Sequence, residues 1–180
     1  MPRVTTQIVL LRGINLGSRN RIAMPALREA LEEAGFADVR TYVQSGNVVL
    51  RSKTKPDSTA RKVERVIAER FELEIPVVVR TKAELGRVVK KNPLAKVAKE
   101  PKRYQVTFLA EKLDPETVRR LEAAVSGKEQ LVVDGREVYA WHDAGVARSK
   151  LWAALADRRL GVTATARNWT TVEKLLELAA

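Results

Sequence analysis

The string Arg12-Gly13-Ile14-Asn15-Leu16-Gly17-Ser18-Arg19-Asn20-Arg21 sets three arginines around two glycines and two asparagines, and no acid precedes Glu29. Glycine takes positive φ without a Cβ penalty and leaves backbone N–H groups open to a ligand. Guanidinium groups pair with phosphate or carboxylate through two parallel hydrogen bonds. A helix beginning just beyond the string adds a partial positive charge. Arg12, Gly13, Asn15, Gly17, Asn20 and Arg21 are therefore candidate contacts for an anion. The spacing is neither a Walker loop nor the dinucleotide glycine fingerprint, so it names a chemistry and not a ligand. Solvated arginines on a plain turn are the competing reading.

Two more polar strings stand out. In Tyr42-Val43-Gln44-Ser45-Gly46-Asn47-Val48, Gln44 and Asn47 carry groups that could read a base or sugar edge, and Ser45 is a further candidate ligand contact. Hairpin chemistry accounts for the same residues without a ligand. In Thr163–Thr170, Arg167 and Asn168 offer donors ahead of a helix and Trp169 offers a stacking face. A cap with a core tryptophan explains that string equally simply. Ser149-Lys150 could add an anion contact at the preceding helix, and an ordinary N-cap with a surface lysine explains it more simply. His142, the only histidine, follows Trp141 at a strand end and reads as a surface residue beside a turn rather than a general base. No Ser/His/Asp order or carboxylate pair appears, so no catalytic residue is assigned.

Composition narrows the classes. The 180 residues contain no cysteine, which excludes a disulfide scaffold, a thiol nucleophile, an iron–sulfur cluster and a cysteine zinc site. One histidine excludes multi-histidine metal sites, and no metal or cofactor is expected. No apolar run approaches the ~20 residues of a membrane span. The Ile8–Leu11 run is too short for a signal core and meets Arg12 at once, so no membrane partner and a cytoplasmic location are expected. The net charge of +11 is concentrated: residues 1–22 hold +4 and residues 80–103 hold +7. Local positive potential suits a phosphate-bearing ligand or nucleic acid, although lysine runs more often serve solubility.

The strings must be positioned by elements, and these are legible. Thr5–Leu11 is β-branched and apolar, a strand. A helix follows from Pro25, with Leu27, Ala30, Leu31 and Ala34 at helical spacing. Val39–Val43 and Asn47–Arg51 read as strands around Ser45-Gly46. A helix starts at Pro56, and Ile75–Arg80 is a strand whose Pro76 favours an edge or a strand start. A basic helix and an exposed linker, 95–102, come next. The order then recurs: strand Tyr104–Leu109, helix from Asp114, hairpin around Asp134-Gly135, helix Ser149–Ala156 with Trp152 on its apolar side, short strand Val162–Thr165, and a last helix near Thr170. The expected fold is α+β, with duplicated ferredoxin-like split β-α-β halves packed together, a linking helix and an extra C-terminal helix. The expected boundaries are 1–80, 81–103 and 104–180.

Leu11-Arg12-Gly13-Ile14-Asn15-Leu16-Gly17, Thr41–Val48 and Thr165–Val172 resemble the bacterial family catalogued as domain of unknown function sixteen ninety-seven. The resemblance spans the chain, is strongest toward the ends and weak over 80–140. It implies two ferredoxin-like subdomains and makes the three polar strings the family's signature. It supplies no activity, cofactor or catalytic residue. Two functions follow as expectations. One is binding of a phosphate-bearing ligand or nucleic acid through the arginine- and glycine-rich loops. The other is an enzyme acting on a small anionic substrate in a cleft between the halves. A structural role for the strings as a seam is a third reading.

Overall fold

The structure, a computed structural model, describes residues 3–180. Two compact units are present, residues 3–87 with 175–180, and residues 88–174. The fold class is α+β, with two four-stranded antiparallel sheets and six α-helices among the described residues.

In the first unit, β1 (Thr5–Leu11) runs between β3 (Asn47–Ser52) and β4 (Val77–Thr81), and β2 (Ala37–Tyr42) lies beyond β3. Helices α1 (Met24–Glu33) and α2 (Pro56–Phe71) each carry proline in the first turn, where its missing N–H has no intrahelical acceptor to lose. Both bury an apolar stripe on one sheet face. Leu27, Leu31, Val63 and Ile67 meet Val9, Leu11, Val48, Leu50, Val77 and Val79. Ile8, Leu10, Val49 and Val78, which alternate with these, are buried as well. Strands buried on both faces read as continuous apolar runs, which is why Ile8–Leu11 carries no polar residue.

The second sheet has the order β6-β7-β5-β8, with β5 at Tyr104–Leu109, β6 at Gln130–Asp134, β7 at Glu137–Trp141 and β8 at Ala164–Asn168. Helices α4 (Pro115–Ala124) and α5 (Lys150–Leu155) supply Leu121, Leu151 and Leu155 to a cluster with Leu109, Val138, Ala140 and Ala164. Asp114 caps α4 by accepting from Thr117 N at 2.8 Å, and Ser149 caps α5 by accepting from Trp152 N at 3.0 Å. Helices α3 (Lys82–Lys91) and α6 (Trp169–Leu178) follow the last strand of each sheet.

The two sheets repeat each other bond for bond at one corner. Leu11 N donates to Gly46 O at 2.9 Å and Arg12 N to Pro76 O at 3.0 Å, while Leu109 N donates to Arg136 O at 2.9 Å and Ala110 N to Thr163 O at 2.9 Å. Farther along, Arg80 stands opposite Ile8 and Arg167 opposite Val106. The next residues, Thr81 and Asn168, each face a glutamine, Gln7 and Gln105. Each also accepts from a backbone N–H in the first turn of the helix that follows, Thr81 Oγ1 from Glu84 and Asn168 Oδ1 from Thr171.

Several expectations shift. The last strand is Ala164–Asn168 rather than Val162–Thr165, because its ladder to β5 runs from Leu109–Ala164 through Gln105–Asn168. The last helix consequently starts at Trp169, capped by Asn168. Trp152 is half-buried, and Leu151 and Leu155 fill the core instead. In the lysine-rich segment, Leu94 is buried and Pro101–Arg103 forms one 3-10 turn, while Lys90, Lys91, Lys96 and Lys99 are exposed.

Candidate functional site

The loop leaving β1 and the turn between β2 and β3 are held together by one side chain. Asn15 Nδ2 donates to Gln44 O at 2.7 Å and to Ile22 O at 3.0 Å, while Asn15 Oδ1 accepts from Ile22 N at 2.8 Å. Asn20 Nδ2 donates to Gly13 O at 3.1 Å, and Asn47 Nδ2 donates to Tyr42 O and Ser45 Oγ, both at 3.1 Å. Beneath them, Ile14 and Ile22 are anchored in the apolar cluster. The asparagines are thus largely committed to shaping the loops. The surface they leave exposed is Leu16, Gly17, Ser18, Arg19, Asn20 and Arg21 beside Val43, Gln44 and Ser45, with Arg12 and Gly13 half-buried.

Backbone conformation sets the chemistry of that surface. Gly13, Asn15 and Gly17 take positive φ, 67, 54 and 62°, while Ile14 and Leu16 between them do not. Alternating handedness turns successive N–H groups toward one side, the arrangement that makes anion-binding concavities. The amides of Gly13, Gly17 and Ser18 make no backbone hydrogen bond among the described residues, whereas Leu16 pairs with Arg19 across a short turn. The loop therefore offers backbone donors and guanidinium groups together.

Val43 was expected to close a strand, but it leaves the sheet at φ 50° with its side chain 54% exposed. A β-branched residue there is strained by about 1–3 kcal/mol and gains no burial in return. Val43→Gly is expected to raise stability by about 1 kcal/mol, the relief of strain less glycine's larger entropy loss. Urea denaturation measures it, and a fall in stability would mean that the valine side chain is engaged.

The third string lies in the second unit. Arg167 is 9% exposed, and its Nη1 donates to Thr165 Oγ1 at 2.6 Å and to Ala166 O at 2.8 Å. Burial pulls its pKa down to about 10. Asn168 caps α6. Trp169 is buried and stacks on Tyr104, with ring centroids 4.7 Å apart and planes 17° from parallel. Tyr104 Oη donates to Asn92 Oδ1 at 2.9 Å, and burial pushes its pKa up to about 12.

His142 is not a surface residue. It is fully buried, with Nδ1 2.8 Å from Glu129 Oε2 and 3.0 Å from Ser149 Oγ. Ser149 Oγ donates to the same Glu129 oxygen at 2.5 Å, and Trp152 packs edge-on to the imidazole at 5.8 Å. Serine and glutamate meet the same ring nitrogen, whereas a catalytic triad needs the nucleophile on one nitrogen and the carboxylate on the other. Nε2 is buried with no hydrogen-bond partner among the described residues. The cluster is a buried clip joining the segment before β6, the end of β7 and the start of α5. The signal for it was period-2 alternation, since Val138, Ala140 and His142 fall on one side and the first two face the core.

A family model described as "Protein of unknown function (DUF1697)" matches residues 4–139. The match takes in both clipped loops and the middle of the chain, and it stops short of Thr165–Val172. Among curated proteins none matches. Among solved structures, the conserved bacterial protein SP0830 from Streptococcus pneumoniae is similar with a TM-score of 0.82 and 21% identity, over 99% of this chain and 100% of that one. That likeness concerns the fold. No helix among the described residues is long and apolar enough to cross a membrane.

Proposed function

We propose that this chain, which belongs to the DUF1697 family of proteins of unknown function, binds a phosphate-bearing ligand or nucleic acid through the loop of residues 12–21 and the turn clipped to it. Arg12 and Arg21, joined by Arg19, supply guanidinium groups, and Gly13 and Gly17 supply amides. Asn15, Asn20 and Asn47 hold the frame, and Gln44 and Ser45 line its far side.

One observation carries the reading. The loop is an addition to a corner that the second unit builds without it. Both corners carry the same two backbone hydrogen bonds, from Leu11 and Arg12 in one and from Leu109 and Ala110 in the other. In the first unit the chain takes residues 12–23 to reach its helix, whereas in the second residues 110–114 suffice, with no glycine or arginine. Closing the fold does not require the longer loop, so its glycines, arginines and αL asparagines call for another explanation. We further read the two sheets as copies of one ferredoxin-like split β-α-β plan, on the strength of their matching strand order and of the paired Arg80 and Arg167 registers.

Thermal melts test the function. Phosphate, pyrophosphate or a nucleoside triphosphate at 100 times its Kd is expected to add about 2.7 kcal/mol of stability. The double variant Arg19→Gln/Arg21→Gln, altering exposed side chains only, is expected to keep its melting temperature and lose that gain. Absence of stabilisation by any phosphate compound or nucleic acid would end the proposal.

A further inference from the structure

Leu16 is the most exposed large apolar side chain among the described residues, at 67%, and the backbone holds it there. Asn15 N donates to Asn20 O at 2.9 Å and Arg19 N to Leu16 O at 3.3 Å, so residues 15–20 form a small closed turn with Gly17-Ser18 at its apex. Gly17 at φ 62° makes the reversal possible. The Asn15 side chain fixes this turn to the Gln44 carbonyl, beside exposed Val43. The turn thus holds an apolar side chain outward on a loop that also carries exposed Arg19 and Arg21.

The charges around it define the partner. Every cation in residues 1–28 is an arginine, and this stretch has no lysine and no acid. Guanidinium groups bond phosphate bidentately and stack on planar bases. A membrane surface counts charge and is served as well by lysine. Leu16 and Val43 together also carry only about half the side-chain carbons of a myristoyl chain, which alone anchors marginally. Proteins that insert leucine between base steps combine the wedge with arginine and polar amides, the residue types that exposed Arg19, Arg21 and Gln44 supply on the two loops joined at Asn15.

We infer that the ligand of these loops is a base-paired nucleic acid, and that Leu16 enters between two base pairs as a wedge while Arg19 and Arg21 hold the flanking phosphates. This rests on the anion-binding reading above and goes beyond it in naming the ligand class and the role of the leucine.

Titration of short DNA duplexes carrying 2-aminopurine tests it, with anisotropy reporting binding and base fluorescence reporting unstacking. The intact chain is expected to bind and to raise the 2-aminopurine signal several-fold. Leu16→Ala is expected to lose the rise while affinity falls by less than about tenfold. Arg19→Gln/Arg21→Gln is expected to weaken binding and flatten the slope of log affinity against log salt by about 0.9 per arginine removed. Binding without unstacking, an unstacking signal that survives Leu16→Ala, or binding to phosphatidylserine vesicles and not to duplex would each overturn the wedge. Stabilisation by pyrophosphate without duplex binding would overturn it and leave the anion site standing, whereas indifference to every anion would end both.

Discussion

Glu129→Ala is expected to cost about 3–5 kcal/mol in urea denaturation, a large share of the roughly 5–15 kcal/mol that stabilises an ordinary domain. The Glu129 side chain is 6% exposed and its carboxylate serves four donors or partners. One oxygen meets His142 Nδ1 and Ser149 Oγ, and the other meets Ser126 N at 3.3 Å and Ser126 Oγ at 3.4 Å. Removal of the carboxylate strands His142 Nδ1 and the Ser149 hydroxyl in a site with little water, and each stranded buried group costs about 1–3 kcal/mol. Ser149→Ala should cost less, about 1 kcal/mol for the lost cap of α5 together with one bond to Glu129. Equal losses in the two variants would show that the carboxylate is not the hub.

The same cluster fixes a dependence on pH. Burial pushes the Glu129 carboxyl up, and the hydrogen bonds from Ser149, His142 and Ser126 N more than offset it, leaving the group below its ordinary value. A carboxylate depressed in the folded state stabilises above its unfolded pKa, and that contribution fades as pH falls through the folded one. The gap in stability between the unaltered chain and Glu129→Gln is therefore expected to be full at neutral pH and to narrow in the acid range, below the ordinary glutamate value. A gap that widens on acidification would reverse the sign of the assignment.

What sequence could show here was local. Thr5–Leu11 and Tyr104–Leu109 are strands with the bounds that their β-branched runs suggest, and the hairpin expected around Asp134-Gly135 is present, with Gly135-Arg136 joining β6 to β7. Pro76, which favours an edge or a strand start, stands just before β4, and β4 is an edge strand. Trp152 and Val43 apart, the failures were those of polar residues whose partners lie elsewhere along the chain. His142 is buried through Glu129, 13 residues before it, and Ser149, seven after it. Arg167 sits in an edge strand because the β5 ladder extends farther than propensity suggested. Asn15 reads in sequence as one polar residue among many, and only the approach of Gln44, 29 residues on, makes it a clip. Long-range pairing decides which polar groups are desolvated, and beyond the alternation that turns His142 inward no local pattern encodes it.

Gly46→Ala is expected to be the most damaging one-carbon change in the first unit, at about 2–5 kcal/mol. Gly46 takes φ 81°, where an L side chain costs about 1–2 kcal/mol. Its missing Cβ would also stand 2.8 Å from Leu11 Cβ and 3.1 Å from Ile14 Cδ1. Leu11 Cβ is fixed to the backbone of the central strand, so no rotamer change relieves that contact, and overpacking adds about 1–3 kcal/mol. Relief would have to come from moving the turn away from β1, which breaks the bond from Leu11 N to Gly46 O and pulls Gln44 O from Asn15. Gly13→Ala and Gly17→Ala are the controls. A Cβ at either meets nothing within 4 Å, so only the backbone cost of about 1–2 kcal/mol remains. Stability ranked with Gly46→Ala well below both controls in urea melts is the expected outcome. Because the same displacement opens the loop pair, Gly46→Ala should also lose anion binding at temperatures where it is still folded. Equal stability of all three variants would mean that the loops are not packed against one another at Gly46, and the site as described would fall with that contact.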